Sequence, residues 1–494
     1  MIKKFKIKNL KFGKIYEKGQ LSIFVLIFSS IAMITFSGLI IWVDSSQRAA
    51  VRTSDQKLAL MIAEAGAEYY RWHLAHAPQD FKDGTGQPGP YTHNYYDKSG
   101  NLIGKFILEI TPPEVNGYIV TIRSTGKVEN NPSVEKIIEA RLGIPSVIKY
   151  AVLSNSDIRF ELGTQVYGPV HSNGGVRFDG KAYNLVTSGR TKYNDPDHAG
   201  NDEYGVHTHV APVDPEPPAP LPVRSDVFAA GRDLPVPLVD FNGLTETLAQ
   251  IKSKAQSGGK YFGSSGSKGY HIVLKTNDTF DIYKVKKETK KPDKSCKNTL
   301  KQKNWKTWSI RNAVGSEQLI GNYPIPANGL IFVEDNVWVD GKIDTAKLTI
   351  AAGRFPFNPK KYKHIIINKD LIYTNYDGRD VIGLIAQGHI NIGMDSEDDI
   401  RIDAAAVAQN GHVARYYYRP PFGSKPGCSS YQNRQNLVFN GMIATNKGYG
   451  FAYTDGSGYQ NRTISYDSNL LYNPPPSFPL VSSFYEQVSW REIK

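Results

Sequence analysis

At 494 residues, with 40% hydrophobic and 21% charged side chains, the chain has the composition of folded domains, which excludes a disordered polymer. That length exceeds one compact core, so two to four domains are expected. The net charge of +12 is divided: residues 1–19 hold seven Lys against Glu17, or +6, leaving +6 for the rest, and no specific nucleic-acid recognition is predicted.

The first element is KGQLSIFVLIFSS and its continuation. Between Leu21 and Val43 lie 23 residues without a charge. As a helix this run spans about 34 Å, enough to cross a hydrocarbon core of about 30 Å. A secretory apolar region is usually about 7–15 residues long, and the DSSQR that follows is a poor cleavage exit, so a cleaved signal peptide is the weakest reading. The preceding lysines hold the N-terminus in the cytoplasm and place everything after Asp44 outside. No proline follows until Pro78, and Leu58, Met61, Ile62, Ala65, Tyr69 and Trp72 form an amphipathic stripe. One helix of about 55 residues, roughly 80 Å long, fits this pattern. A membrane anchor followed by a separate juxtamembrane helix fits it too.

A short basic leader ending in Gly19, the apolar segment and its amphipathic extension resemble the class III signal of type IV pilin-like proteins. The A-E-A-G at residues 63–66 resembles the end of the N-terminal helix in PilX-type minor pilins, and the resemblance covers residues 14–76. It implies that prepilin peptidase cuts after Gly19, that Gln20 becomes the new N-terminus, and that the membrane and other pilin-like subunits are partners. Major pilins carry glutamate at the fifth mature position, which here is Phe24. A minor or atypical subunit is the sharper expectation.

Residues 77–145 read as an antiparallel meander of YTHNYY, GKFILEITP, GYIVTIRSTGKV and VEKIIEARL, with turns DKSGN, PPEVNG and ENNPS. Its apolar face, Ile107, Ile110, Ile119 and Ile122, needs the stripe of the long helix as a cover. In residues 146–210, SNSDIRF and SNGGVRF repeat 18 positions apart. Residues 211–325 hold a Pro-rich crossing, a helix near 244–255 capped by Asn242, and a hairpin around Asn277 and Asp278, together read as an inserted subdomain. In residues 326–494, apolar strands at Ile331, Leu348, Ile365, Leu384 and Ile402 recur at steps of 17, 17, 19 and 18, with an insertion near 412–435. Such a period suggests windings of a parallel β-helix, with an antiparallel β-sandwich as the alternative. The expected fold class is α+β: a long N-terminal helix with a small antiparallel sheet, then a mainly-β, β-helix-like body.

Four groups of residues can carry chemistry. Residues 285–308 contain nine Lys, among them Lys286, Lys287, Lys290, Lys291 and Lys294, followed by Trp305 and Trp308: a polyanion-binding loop or a plain solvated one. Cys296 and Cys428 can pair in an exported protein, although two cysteines make no disulfide framework. Asp195, Asp197, His198, Asp202, Glu203, His207 and His209 crowd one segment, but the spacing matches no calcium loop and the H-x-H lacks a clear third ligand, so a polar loop with no metal and no cofactor is expected. Asp395, Glu397, Asp398 and Asp399 read as an acidic turn. Asp398, Asp399 and Arg401 are the local candidates for polysaccharide cleavage, yet neighbours on a strand face opposite ways, so no enzyme is expected. The sequence thus points to a single-pass membrane protein with its bulk outside the cell and a structural or adhesive role in or beside a pilus. An anchored adhesin outside any filament is the rival.

Overall fold

The computed structural model describes residues 20–113, 119–143, 147–196, 198, 200–241, 243–479 and 485–493. Gly19 and the rest of the leader, part of the PPEVNG turn, Asp197 and Asn242 lie outside the described residues.

Helix α1 (Gln20–His76) runs 57 residues without a break, about 85 Å at 1.5 Å per residue. Every side chain from Leu21 to Ser54 is exposed, Phe24 included. Among the described residues, α1 is the one helix long and apolar enough to cross a membrane, with a mean hydropathy of 2.4 in its most apolar window. Burial is complete from Ala59 onward on a face formed by Ala59, Ile62, Ala63, Ala67, Tyr70 and Leu74. The stripe expected from the sequence is rotated from this face: Met61 and Trp72 are 57% and 59% exposed. The cause is closeness of approach, since the buried face is built from small residues that let the helix axis come near the sheet. A Cβ on Gly126 would sit 2.1 Å from the Ala59 carbonyl oxygen, and one on Gly66 would sit 2.3 Å from Ser124 Oγ. Gly126→Val is therefore expected to cost about 1–3 kcal/mol and to loosen the outer half of α1. Faster proteolysis of residues 55–76 would show it, and an unchanged cleavage pattern would contradict this docking.

That sheet is antiparallel and follows chain order through β1 (Tyr91–Tyr96), β2 (Leu102–Thr111), β3 (Ile119–Val128) and β4 (Asn131–Gly143). A fifth strand, Glu486–Glu492, pairs antiparallel with β4, placing Trp490 opposite Ala140. The sequence reading assigns residues 486–492 to the body, whereas the structure brings them back to this sheet. They cover an edge whose backbone groups would otherwise stay unpaired. Arg491 Nη2 lies 2.8 Å from Glu139 Oε1, Lys136 pairs with Glu492, and Tyr485 is buried in the same core as Tyr70 and Leu108.

The rest of the chain is mostly β and built from parallel ladders. One ladder runs through Lys260–Phe262, Leu330–Val333, Lys347–Ala352 and Val381–Ala386 to the later halves of Asp399–Ala408 and Asn433–Thr445. It continues through Val152–Ser154, Val170–Ser172, Val186–Ser188 and Arg232–Asp233. The chain therefore enters the stack in its middle, builds toward one end, crosses to the other, and winds back to its entry point. The S-N repeat marks the join: Asn155 Nδ2 donates to Asn446 Oδ1 at 2.9 Å, and Asn173 Nδ2 donates to Asn155 Oδ1 at 2.8 Å.

The even steps of 17–19 do not each correspond to one winding. Val152, Val170 and Val186 are ladder partners at 18 and 16 positions, and Ile331 pairs with Ile350 at 19. Beyond that, Ile350 pairs with Leu384, Ile365 with Ile390, and Ile402 with Phe439, so later windings are longer. Ile365, Leu384 and Ile402 stand on three different ladders, and their regular spacing counts strands rather than turns.

Residues 211–325 are woven into this stack rather than set apart. Helix α2 (Gly243–Gly258) lays Leu248, Ile251 and Ala255 over Leu330, Phe332, Ala351 and Ile385 on the outer side of the first ladder. Those strands are buried on both faces, as parallel strands require. The hairpin of Gly269–Leu274 and Thr279–Val285 joins the stack because its first strand pairs in parallel with Val337–Ile343.

Candidate functional site

The lysine-rich loop is clamped to the body while its lysine side chains stay exposed. Cys296 and Cys428 form a disulfide between residues 132 positions apart. Trp305 Nε1 donates to the Tyr417 carbonyl at 2.8 Å, and the Tyr416 and Tyr418 hydroxyls each donate at 3.0 Å to the carbonyls of Lys303 and Lys306. Trp308 is buried beneath, with Trp338 Nε1 donating to its carbonyl at 3.1 Å. Lys286, Lys287, Lys290, Lys291 and Lys294 are all exposed, as are Lys297, Lys301, Lys303 and Lys306. Among the described residues none of these nine makes an ion pair. Lys291 lies 4.9 Å above the Trp305 ring and Lys306 lies 4.8 Å above that of Trp308. Nine cations without an ion-pair partner on a fixed frame produce a concentrated positive potential.

A second cluster gathers residues that the sequence reads as a polar loop. Short strands Glu203–Tyr204 and Val206–His207 set Glu203, His207 and His209 beside the bend at Asp195 and His198. Val206–His207 is an edge strand, paired in parallel with Val176–Phe178. His198 Nδ1 lies 3.0 Å from Glu203 Oε1, His209 Nε2 lies 3.3 Å from the same oxygen, and His207 Nε2 lies 3.5 Å from Asp195 Oδ2. His207 is wholly buried and Glu203 is 2% exposed. Asp195 Oδ2 also lies 3.3 Å from Arg177 Nη1. Asp202 is separate, paired at the surface with Lys192. The signal in the sequence was the H-x-H itself: His207 closes its strand and His209 follows two residues later, outside it.

Asp398, Asp399 and Arg401 are not brought together. Asp398 pairs with Arg434 at 3.0 Å, Asp399 accepts from Asn436 Nδ2 at 2.5 Å, and Arg401 pairs with Asp403 at 2.9 Å. A cleft of about 650 Å³ adjoins this acidic turn, lined by Asp395 and Glu397 together with His271, Arg311, Glu317 and Asp340, and not by Asp398, Asp399 or Arg401. His271 Nδ1 is 2.7 Å from Glu317 and its Nε2 is 2.8 Å from Asp340. Burial opposes charge on this imidazole, but the bonds to Asp340 and Glu317 outweigh it and raise it to about 9.

Taken together, a long apolar N-terminal helix on a small antiparallel sheet, followed by a mostly β body, is consistent with a pilin-like α+β chain. No family model matches the chain, and no curated protein matches its sequence. Among solved structures it is similar to the competence-associated pilin ComZ from Thermus thermophilus, at 11% identity and a TM-score of 0.29, over 89% of this chain and 97% of that one. A likeness at that identity and TM-score carries no argument.

Proposed function

We propose that this chain is a PilX-type minor pilin, or a pilus assembly protein of that kind, cleaved after Gly19 and anchored through Leu21 to Val43. Its N-terminus faces the cytoplasm and its bulk lies outside the membrane. The observation that carries this reading is α1, fully exposed through its apolar half and packed on the antiparallel sheet through its outer half. The parallel ladders support reading the body as a parallel β-helix with a structural or adhesive role, not an enzymatic one. A body of this bulk is hard to repeat at every position of a filament, which favours a minor subunit at a tip or on the surface. Its partners are the membrane, prepilin peptidase and other pilin-like subunits. Mass spectrometry of the mature protein is expected to find Gln20 at the N-terminus, and an intact Met1 in cells with active prepilin peptidase would sink the proposal. Recovery only with membranes, never with filaments, would favour an anchored adhesin.

The adhesive surface we assign to the lysine-rich loop, with a polyanionic surface polymer as the ligand. Reversing Lys286, Lys290 and Lys294 to Glu is expected to lower retention on immobilised heparin by at least tenfold at low salt, with the difference shrinking as salt rises. Equal retention of the two proteins would remove this assignment.

A further inference from the structure

We propose that His198, Glu203, His207 and His209, with Asp195 beside His207, bind one divalent transition-metal ion of the zinc class. The first support is distance. Tetrahedral zinc with ligands at about 2.0–2.1 Å places its donor atoms roughly 3.3–3.4 Å apart. The observed separations of 3.0, 3.3 and 3.5 Å bracket that edge length. In each of the trios Asp195, His207, His209 and His198, Glu203, His209, the donor atoms lie within 4.8 Å of one another.

The second support is the hydrogen bonding of the buried groups. His207 Nδ1 lies 3.1 Å from the Tyr204 carbonyl, which can only accept, so that nitrogen carries the proton. In the neutral form of the ring, Nε2 aims its lone pair into the cluster, where it has no hydrogen-bond partner and faces the oxygen of Asp195. A lone pair facing a carboxylate is repulsive unless a proton or a metal cation lies between them, and a metal ion also accounts for the other unpartnered atoms of the cluster. Glu203 Oε2 and His198 Nδ1 are likewise buried without a hydrogen-bond partner. A ring whose second nitrogen is fixed by a backbone carbonyl is the usual posture of a metal-bound histidine. Three imidazoles with carboxylate oxygen select a borderline ion such as zinc over calcium or magnesium.

The ion would tie the 195–209 segment across the end of the stack. Among the described residues Val206–His207 is the edge of its three-stranded sheet, and the chain leads on from it into the Pro-rich crossing. A metal clip at this point holds the end winding closed as a disulfide would.

The test uses the full chain in detergent, stripped with EDTA, reloaded with Zn²⁺ or Co²⁺ alone and desalted. Elemental analysis is expected to find about one zinc per chain, Co²⁺ to give the intense visible bands of a four-coordinate centre, and zinc to raise the unfolding midpoint. The near-isosteric pair Glu203→Gln and His209→Gln is expected to keep the far-ultraviolet circular dichroism while lowering zinc affinity at least tenfold and abolishing the cobalt bands. Zinc retained equally by that variant means an adventitious ion only, and overturns the site. So does a metal-free wild-type protein whose His207 shows an Nε2 proton by NMR, because a proton then does what the ion was assigned to do.

Discussion

The unfolding midpoint of the body is expected to be highest near pH 6.5 and to fall on both sides, most steeply toward acid. His364, His389 and His412 each precede the first residue of a strand in one ladder, and their rings stack with centroids 4.9 and 4.0 Å apart. The His389 backbone N–H donates to His364 Nδ1 at 2.9 Å, and that of His412 donates to His389 Nδ1 at 3.1 Å. Both Nδ1 atoms are thus acceptors, a role a protonated ring cannot fill. Burial, with Lys447 adding to it, holds His389 down at about 4, and burial plus the neighbouring imidazoles hold His364 and His412 well below the ordinary value.

As pH falls from 6.5 toward 4, the unfolded chain takes up protons on these rings and the folded chain does not, so stability drains away through that window. For His389 alone the loss approaches about 3 kcal/mol at pH 4. Burial raises the carboxyls of Asp403 and Asp467, and their pull is in the opposite direction. On the alkaline side His271, raised to about 9, contributes stability that is complete below 6.5 and lost as pH climbs through 9. Differential scanning calorimetry from pH 4 to 10 checks both limbs. His389→Gln should shallow the acid limb by about 3 kcal/mol, and an unchanged limb would show that the ladder does not carry it.

The long helix was legible because a 23-residue uncharged run and its proline-free continuation admit few alternatives. Its buried face was not, because hydrophobicity favours Met61 and Trp72, whereas packing against a sheet favours Ala59, Ala63 and Gly66. The S-N repeat carried real structural information, since Asn155 and Asn173 bond across adjacent windings. The later spacing misled because windings of unequal length hide behind evenly spaced strands. The recurring H-I, H-I and H-V at His364, His389 and His412 were a readable sign of the histidine ladder, spaced by 25 and 23 residues and tied to no function. Closing the sheet with residues 486–492 is a contact across more than 340 positions, for which local pattern offers no cue. The histidine–carboxylate cluster has the same character: its residues were noticed, but their convergence depends on how two short strands fold back.

Removing the Cys296–Cys428 disulfide is expected to destabilise the chain by about 5 kcal/mol, because a bridge closing a loop of more than 100 residues restricts the unfolded ensemble by about that amount. Both sulfurs are fully buried beside Trp308, Trp338, Tyr416 and Tyr418, so the fitting test is the double change Cys296→Ala and Cys428→Ala, which leaves no unpaired hydroxyl behind. The native clamp does not rest on the bridge alone. Trp305, Tyr416 and Tyr418 still bond across the same seam, so the folded loop should persist at low temperature while its opening becomes far more frequent. Two readouts should therefore move together: the urea midpoint falls, and trypsin cuts at Lys294 to Lys303 faster without any change in the number of lysines. If the lysine loop is the adhesive surface, heparin retention should decline near the unfolding temperature and remain near wild type well below it. A reduced protein with the same midpoint and the same cleavage rate as the oxidised one would mean that packing of the tryptophans and tyrosines, rather than the covalent link, fixes the lysines in place.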